Sequence, residues 1–474
     1  MADNGPARAG INLSNVFSLG PISIRGDADP DTVDLTLGWR PLEAAADREG
    51  VDLFDALTWR HRLTPSLIGR ATEMHALLAW AEDGCGGISV RLMSGPAGIG
   101  KTRLAAEAAT ALIGRGWTAG FLARAQDRAE HIRVEGRGLF MILDYPEERR
   151  ALVDRLLDRL SDRAPTPEQT IRILLVSRKG PEAWEETAER LGSLFSRQEI
   201  ATPAPLSDDD ALDVLTEAAT RFAVLTEARV PDLSAARAWL ATAPTHRRPL
   251  YAAASGVRAV AAESARFDYG AADLMRWLAG REIARVRRIS RLAGLGRTDL
   301  ERLLALALAT PEGLGKSELR RLGSLGVAEK ADTALLNTVA DTPWWQRPTA
   351  GGAPRLLRLE PDQPAAAFLE AALLADPDPR LPDWLAVPAE GAGGEFGKIL
   401  ARLAFDLATL DPEASRAAEQ AALEMLDRTP ALAETLRPVA MDLATAFSAR
   451  FAAAVATRLL ATATEPAERA PLLL

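Results

Sequence analysis

The stretch that most constrains this chain is Gly95-Pro96-Ala97-Gly98-Ile99-Gly100-Lys101-Thr102, set between the apolar run 88–93 and a helical segment from Lys101 to about Leu112. Glycines at 95, 98 and 100 allow backbone angles that a Cβ forbids, so consecutive amides can turn into one concavity and hold phosphate oxygens. Lys101 adds a point charge for β- and γ-phosphates, and the Thr102 hydroxyl is a ligand for Mg²⁺. The helix that begins at Lys101 and continues through Arg103 points its positive dipole end at the same anion. Strand, glycine loop and helix in this order predict an α/β domain with a parallel sheet and a bound ATP or ADP.

The chain has 474 residues, more than one core usually fills, so several domains are expected. Abundant Ala, Leu and Arg favour helices, and aromatic residues make up only 5%. A net charge of -9 argues against nucleic acid as the partner. The single cysteine, Cys85, excludes an internal disulfide, and no Cys/His spacing fits zinc. The first residues lack a secretory signal, and arginines and aspartates interrupt the apolar C-terminal helices, so a cytoplasmic protein without membrane spans is expected.

Further strands are expected at 117–123, at 138–145 and at 171–178, with a fifth within 198–206. The run Leu139-Phe-Met-Ile-Leu-Asp144 describes a fully buried parallel strand whose terminal carboxylate emerges at the ligand-binding edge of the sheet. Asp144 is there a second candidate for holding Mg²⁺, opposite Thr102. Beyond it, Glu147 and Glu148 are the nearest carboxylates that could serve as base to an attacking water, and Glu147 is the choice. The next strand ends at Ser177-Arg178, and Arg178 is placed to stabilise charge on a transferring phosphoryl group.

Upstream, Leu67-Ile68-Gly69-Arg70-Ala71-Thr72-Glu73 precedes the phosphate loop at a spacing that resembles the adenine-side motif of AAA+ and STAND ATPases, the signal-transduction ATPases with numerous domains. There, Gly69 and Arg70 would form a turn against the base. The resemblance extends over about residues 60 to 375. It implies that Gly95–Thr102 is a Walker A motif, that Asp144 is the Walker B aspartate, and that Arg178 senses the γ-phosphate. Tyr145 stands where an acid usually follows that aspartate; the Asp-Tyr-x-Glu order is similar to a bacterial STAND-like variant whose Glu falls at Glu147. Pro249, in His246-Arg-Arg-Pro-Leu, corresponds to the proline of the family's Gly-x-Pro that packs against adenine.

The expected organisation is an arm over 1–45, a nucleotide domain over 46–206, a helical lid over 207–297 and a winged-helix-like domain over 298–380. A Pro- and Gly-rich linker over 381–395 and Ala-rich helical hairpins over 396–474 complete it. The resemblance implies a signalling ATPase with slow hydrolysis of ATP to ADP and phosphate. Its nucleotide state would control homo-oligomerisation or engagement of a separately encoded effector, in bacterial defence or stress signalling. The alternatives are an AAA+ loader or remodeller, and a scaffold that retains nucleotide without hydrolysing it.

Overall fold

The computed structural model describes residues 53–84, 86–122, 137–161, 170–196, 203–330, 332–346, 353–440, 443–444 and 447–462. The arm expected over 1–45, and most of the fifth strand expected within 198–206, lie outside the described residues.

Four strands, β1 (Gly87–Met93), β2 (Thr118–Phe121), β3 (Leu139–Asp144) and β4 (Thr170–Val176), form a wholly parallel sheet in the order β1-β4-β3-β2. Phe195 adds an isolated parallel bridge to Val90 on the side of β1 away from β4. The period of two along β3 divides its side chains between two helical layers. Leu139, Met141 and Leu143 meet α4 (Arg150–Ser161) and α5 (Glu185–Leu191). Phe140 and Ile142 face α2 (Ala71–Ala81) and α3 (Lys101–Ile113). Burial on both faces explains why β3 and β4 read as near-continuous apolar runs.

Arg172 is the exception within β4, and it is fully buried. Its guanidinium donates to Trp80 O at 3.2 Å, to Gly87 O at 3.0 Å and to Asp83 Oδ1 at 2.7 Å, tying the end of α2 to the start of β1. A cation suits that place, because the last carbonyls of a helix are electronegative and unpaired.

The remaining helices share a second body. It contains α1 (Leu53–Leu57), α6 (Asp208–Leu225), α7 (Ala236–Thr242), α8 (Pro249–Ala261) and α9 (Ala271–Leu292). Next come α10 (Asp299–Ala307), α11 (Lys316–Ser324), α12 (Asp332–Ala340) and the pair β5 (Trp345–Gln346) and β6 (Arg355–Leu356). Leu314 and Leu356 exchange backbone hydrogen bonds of 3.0 and 2.9 Å, so helix, bridge, two helices and a short hairpin follow one another. Then come α13 (Asp362–Leu369), α14 (Leu381–Ala392), α15 (Gly394–Leu410) and α16 (Pro412–Arg428). One apolar core runs from Leu53 to Ala421 through all of these segments. With α14 to α16, α17 (Leu432–Leu436) and α18 (Ala449–Thr462) close a smaller one.

Two expectations change. Residues 381–395 are no linker, since α14 occupies Leu381–Ala392 with Leu381, Trp384 and Val387 buried at helical spacing. Pro382 falls in the first turn, where the missing N–H has no intrahelical partner. Pro388 lies inside the helix and is itself buried; the burial of this face, with Trp384 Nε1 donating to Leu325 O at 3.1 Å, outweighs the hydrogen bond the proline removes. Likewise α1, expected in the nucleotide domain, packs Phe54 edge-on against Phe368 of α13.

Helices α6 and α8 are in close contact at Gly256, where an added Cβ would stand 2.3 Å from Leu215 O. Gly256→Ala is therefore expected to lower the unfolding free energy by roughly 1–3 kcal/mol in urea titration. Gly280 of α9 meets nothing within 4 Å; Gly280→Ala is expected to raise it by about 0.5–1 kcal/mol.

Candidate phosphate site at the sheet edge

The register places Met93, Val176 and Asp144 side by side at the C-terminal ends of β1, β4 and β3. The loop after β1, the Ser177-Arg178 pair after β4 and the Asp144 carboxylate therefore converge on one edge. Thr102, in the first turn of α3, donates its hydroxyl to Asp144 Oδ2 at 3.3 Å. Gly98 and Gly100 have φ of 75° and 95°, which side-chain-bearing residues rarely adopt.

Lys101 is nearly buried and donates to Gly95 O at 2.6 Å and Pro96 O at 3.1 Å. Burial, and secondarily the charge of Arg178, pushes its ammonium down to about 8 against the pull of Asp144, Glu147 and Asp362. The site thus holds a cation at a cost in solvation, which an anion would offset.

Tyr145 has φ of 54°, an uncommon value for a residue with a bulky side chain, and this turns the chain sharply after β3. The single 3₁₀ turn Pro146–Arg149 then carries Glu147 back to the edge. Glu147 Oε1 accepts the Arg178 backbone N–H at 3.1 Å, while its Oε2 is buried with no hydrogen-bond partner among the described residues. Glu148 is committed elsewhere, 3.2 Å from Arg402 of α15. Of the two carboxylates, Glu147 is thus the one with an oxygen to spare.

Arg178 does not point its guanidinium into open space. Nη1 donates to both carboxylate oxygens of Asp406, at 2.7 and 2.8 Å, and Nη2 donates to Asp362. Tyr145 also donates its hydroxyl to Asp362, and burial raises that phenol well above its ordinary range, so it stays a donor. Burial alone would raise the Asp362 carboxyl as well, but Arg402, Arg178 and Arg358 more than offset this and hold it far below the usual range. Neither Asp362 nor Asp406 was singled out by the sequence, because the partners lie 184 and 228 residues from Arg178.

The helical body reaches the loop through the start of α8. Leu250 N–H donates to Gly98 O at 3.2 Å, and Arg248 Nη1 donates to Ala97 O at 3.3 Å. Pro249 lies against the loop too, with its Cγ 3.5 Å from where a Cβ on Gly100 would stand. The structure thereby adds Arg248, a cation whose side chain touches the loop, to the residues named from sequence. Gly69 has φ of 63° and packs against Leu206 and against Asp210 of α6. Arg70 spends its guanidinium on Ile99 O at 3.2 Å, Ala204 O at 2.7 Å and Glu73 at 3.2 Å, bracing the loop from behind. Arg103 pairs with Glu107 at 2.7 Å and donates to Thr64 O at 3.1 Å. Its side chain supports the helix and the segment before α2.

No protein-family model matches the chain, and no curated protein matches it. Sixteen solved chains do. One is the ORC2 protein of Aeropyrum pernix, described in ADPNP-ADP complexes, at 17% identity and a TM-score of 0.32 over 65% of this chain and 94% of that one. Another is the ORC1 protein of Aeropyrum pernix in complex with DNA, at 17% identity and a TM-score of 0.32 over 66% of this chain and 94% of that one. Among the described residues no helix is long and apolar enough to cross a membrane.

If Arg70 acts as a brace, removing it harms the fold itself. Arg70→Met is expected to cost about 1.5–3 kcal/mol of unfolding free energy without any ligand, because carbonyls and Glu73 lose a charged donor. A urea midpoint equal to that of the unaltered protein would show that the guanidinium is dispensable to the loop.

Proposed function

We propose that the chain is an AAA+-type P-loop ATPase that binds ATP or ADP on the Gly95–Thr102 loop and couples the bound nucleotide to its C-terminal helices. The observation that carries this reading is the Thr102 hydroxyl 3.3 Å from Asp144, beneath a glycine loop that also holds the buried Lys101. Lys101 and the loop amides supply phosphate contacts, and Arg248 adds charge from the lid. Thr102 and Asp144 fit Mg²⁺, a hard cation that accepts one or two protein oxygens beside phosphate and water. Among the described residues no trio of His, Cys, Asp or Glu is grouped to enclose a metal unaided. When bound, Mg²⁺ neutralises charge on the phosphate oxygens. Glu147, with its unpartnered Oε2, is the residue to orient a water and accept its proton.

Within this frame the finer reading is a STAND-like switch with slow turnover, controlling self-association or the engagement of a separate effector. Its support is the bonding of Arg178 to the C-terminal helices, which ties the state of the phosphate edge to the position of distant elements. A second reading, an AAA+ loader or remodeller, has its own support. On and just after α9, Arg276, Arg285 and Arg287 are spent on internal carboxylates, whereas Arg288, Arg291 and Arg297 are exposed without ion-pair partners among the described residues. That local basic group is a place for a polyanion on an otherwise acidic chain.

Titration of the full chain with fluorescent ATP and ADP in Mg²⁺ tests the shared conclusion. Lys101→Met is expected to weaken both by roughly 2–5 kcal/mol, about 30-fold or more. Glu147→Gln is expected to leave binding intact and to slow phosphate release by about 10²–10⁴. Absence of binding by the unaltered chain would overturn the proposal. Mass measurement with ATP, with and without duplex DNA, separates the two finer readings: DNA-dependent rings favour the loader, and nucleotide-dependent association without DNA favours the switch.

A further inference from the structure

The contacts around Arg178 form a closed circuit between the two halves of the molecule. Its guanidinium is held by Asp362, in the first turn of α13, and by Asp406, on α15. The side chains of Arg178, Asp362 and Asp406 are 11%, 12% and 0% exposed, so this is an interior ion pair and not a surface one. Arg402, one turn before Asp406, reaches Asp362 at 3.4 Å and Glu148 at 3.2 Å. A second path returns to the loop. Gln363 Nε2 donates to Asp406 Oδ1 at 2.6 Å, and Tyr251 donates to Gln363 Oε1 at 3.3 Å. The Tyr251 ring edge lies 3.4 Å from where a Cβ on Gly98 would stand.

Resting on the nucleotide-binding reading above, we propose that Asp362 and Asp406 form an interdomain latch which occupies Arg178 and is opened by a terminal phosphate. Arg178 stands between the phosphate loop and Asp144 at the edge of the sheet, and its charge is close enough to disturb Lys101. A γ-phosphate seated on the loop offers Arg178 a competing anion; a diphosphate ends before reaching it. Only a ligand with such a difference in contact can shift the balance between the latched and released arrangements. When Arg178 leaves, Asp362 and Asp406 are two buried carboxylates that have lost a shared cation, and the hold of α13 and α15 on the nucleotide domain is weakened.

The test uses the full chain with ADP and with a non-hydrolysable ATP analogue, each with Mg²⁺. Asp406→Asn and Asp362→Asn are expected to tighten the ATP analogue by about tenfold or more while leaving ADP within about twofold, because only the triphosphate contends with the latch. Unchanged affinities for both ligands in folded variants would overturn the proposal. Where an Asn variant fails to fold, two readouts remain. Tyr145→Phe, which removes only the hydroxyl on Asp362, is expected to shift the same ratio in the same direction. In the unaltered chain, amide hydrogen exchange over α13 and α15 is expected to quicken with the ATP analogue and not with ADP. Equal exchange in the two states rejects the latch, even though both nucleotides bind. Failure of either nucleotide to bind rejects the underlying reading instead.

Discussion

The constraint on which the rest depends is the insertion of β4 between β1 and β3 in one parallel sheet. Neighbouring strands lie about 4.8 Å apart, so the ends of β1 and β3 are separated by roughly 10 Å with the end of β4 midway. This spacing leaves a cleft with the glycine loop on one side and Asp144 on the other, and it puts the residues after Val176 at the centre. Arg178 is therefore central because of hydrogen-bond register.

Charge at the centre of an edge must be neutralised, and the structure does so with residues far along the chain. Removing Arg178, Asp362, Asp406, Arg402 and Glu148 from water costs several kcal/mol for each ion, repaid only if the bonding is nearly complete. Here it is extensive: Asp406 accepts from Arg178 and Gln363, and Asp362 accepts from Arg178, Tyr145 and Arg402. Such a cluster adds little net stability compared with apolar packing, but it is exacting about geometry. A phosphate that draws one cation out of it thus alters the balance of the whole cluster, a sensitivity that a leucine core lacks.

Local chemistry was legible in the sequence where one short stretch carries it. The glycine loop, the buried run ending in Asp144 and the helices of the C-terminal half all follow from period and propensity. What stayed hidden is non-local. Asp406 is one of two acids on α15, and nothing within its own segment marks it as buried. Residues 381–395 misled for the opposite reason. Prolines and glycines there outvoted a three-residue apolar periodicity, yet Trp384, Leu381 and Val387 bury enough surface to keep α14 intact around Pro388. Arg70 was legible as important, but its role changed: the turn at Gly69 directs the guanidinium to Ile99 O behind the loop.

Helices α1 and α6 to α16 share one body, since a single apolar core runs through them. That body touches the phosphate edge at two points, the start of α8 against Gly98 and the carboxylates around Arg178. Tyr251 and Gln363 join these points within the body itself, so a shift at the loop is passed to Asp406 through two hydrogen bonds. Packed cores transmit displacement because they compress little. Two contacts on one rigid body are harder to break singly than together, and this favours an all-or-none change over a graded one.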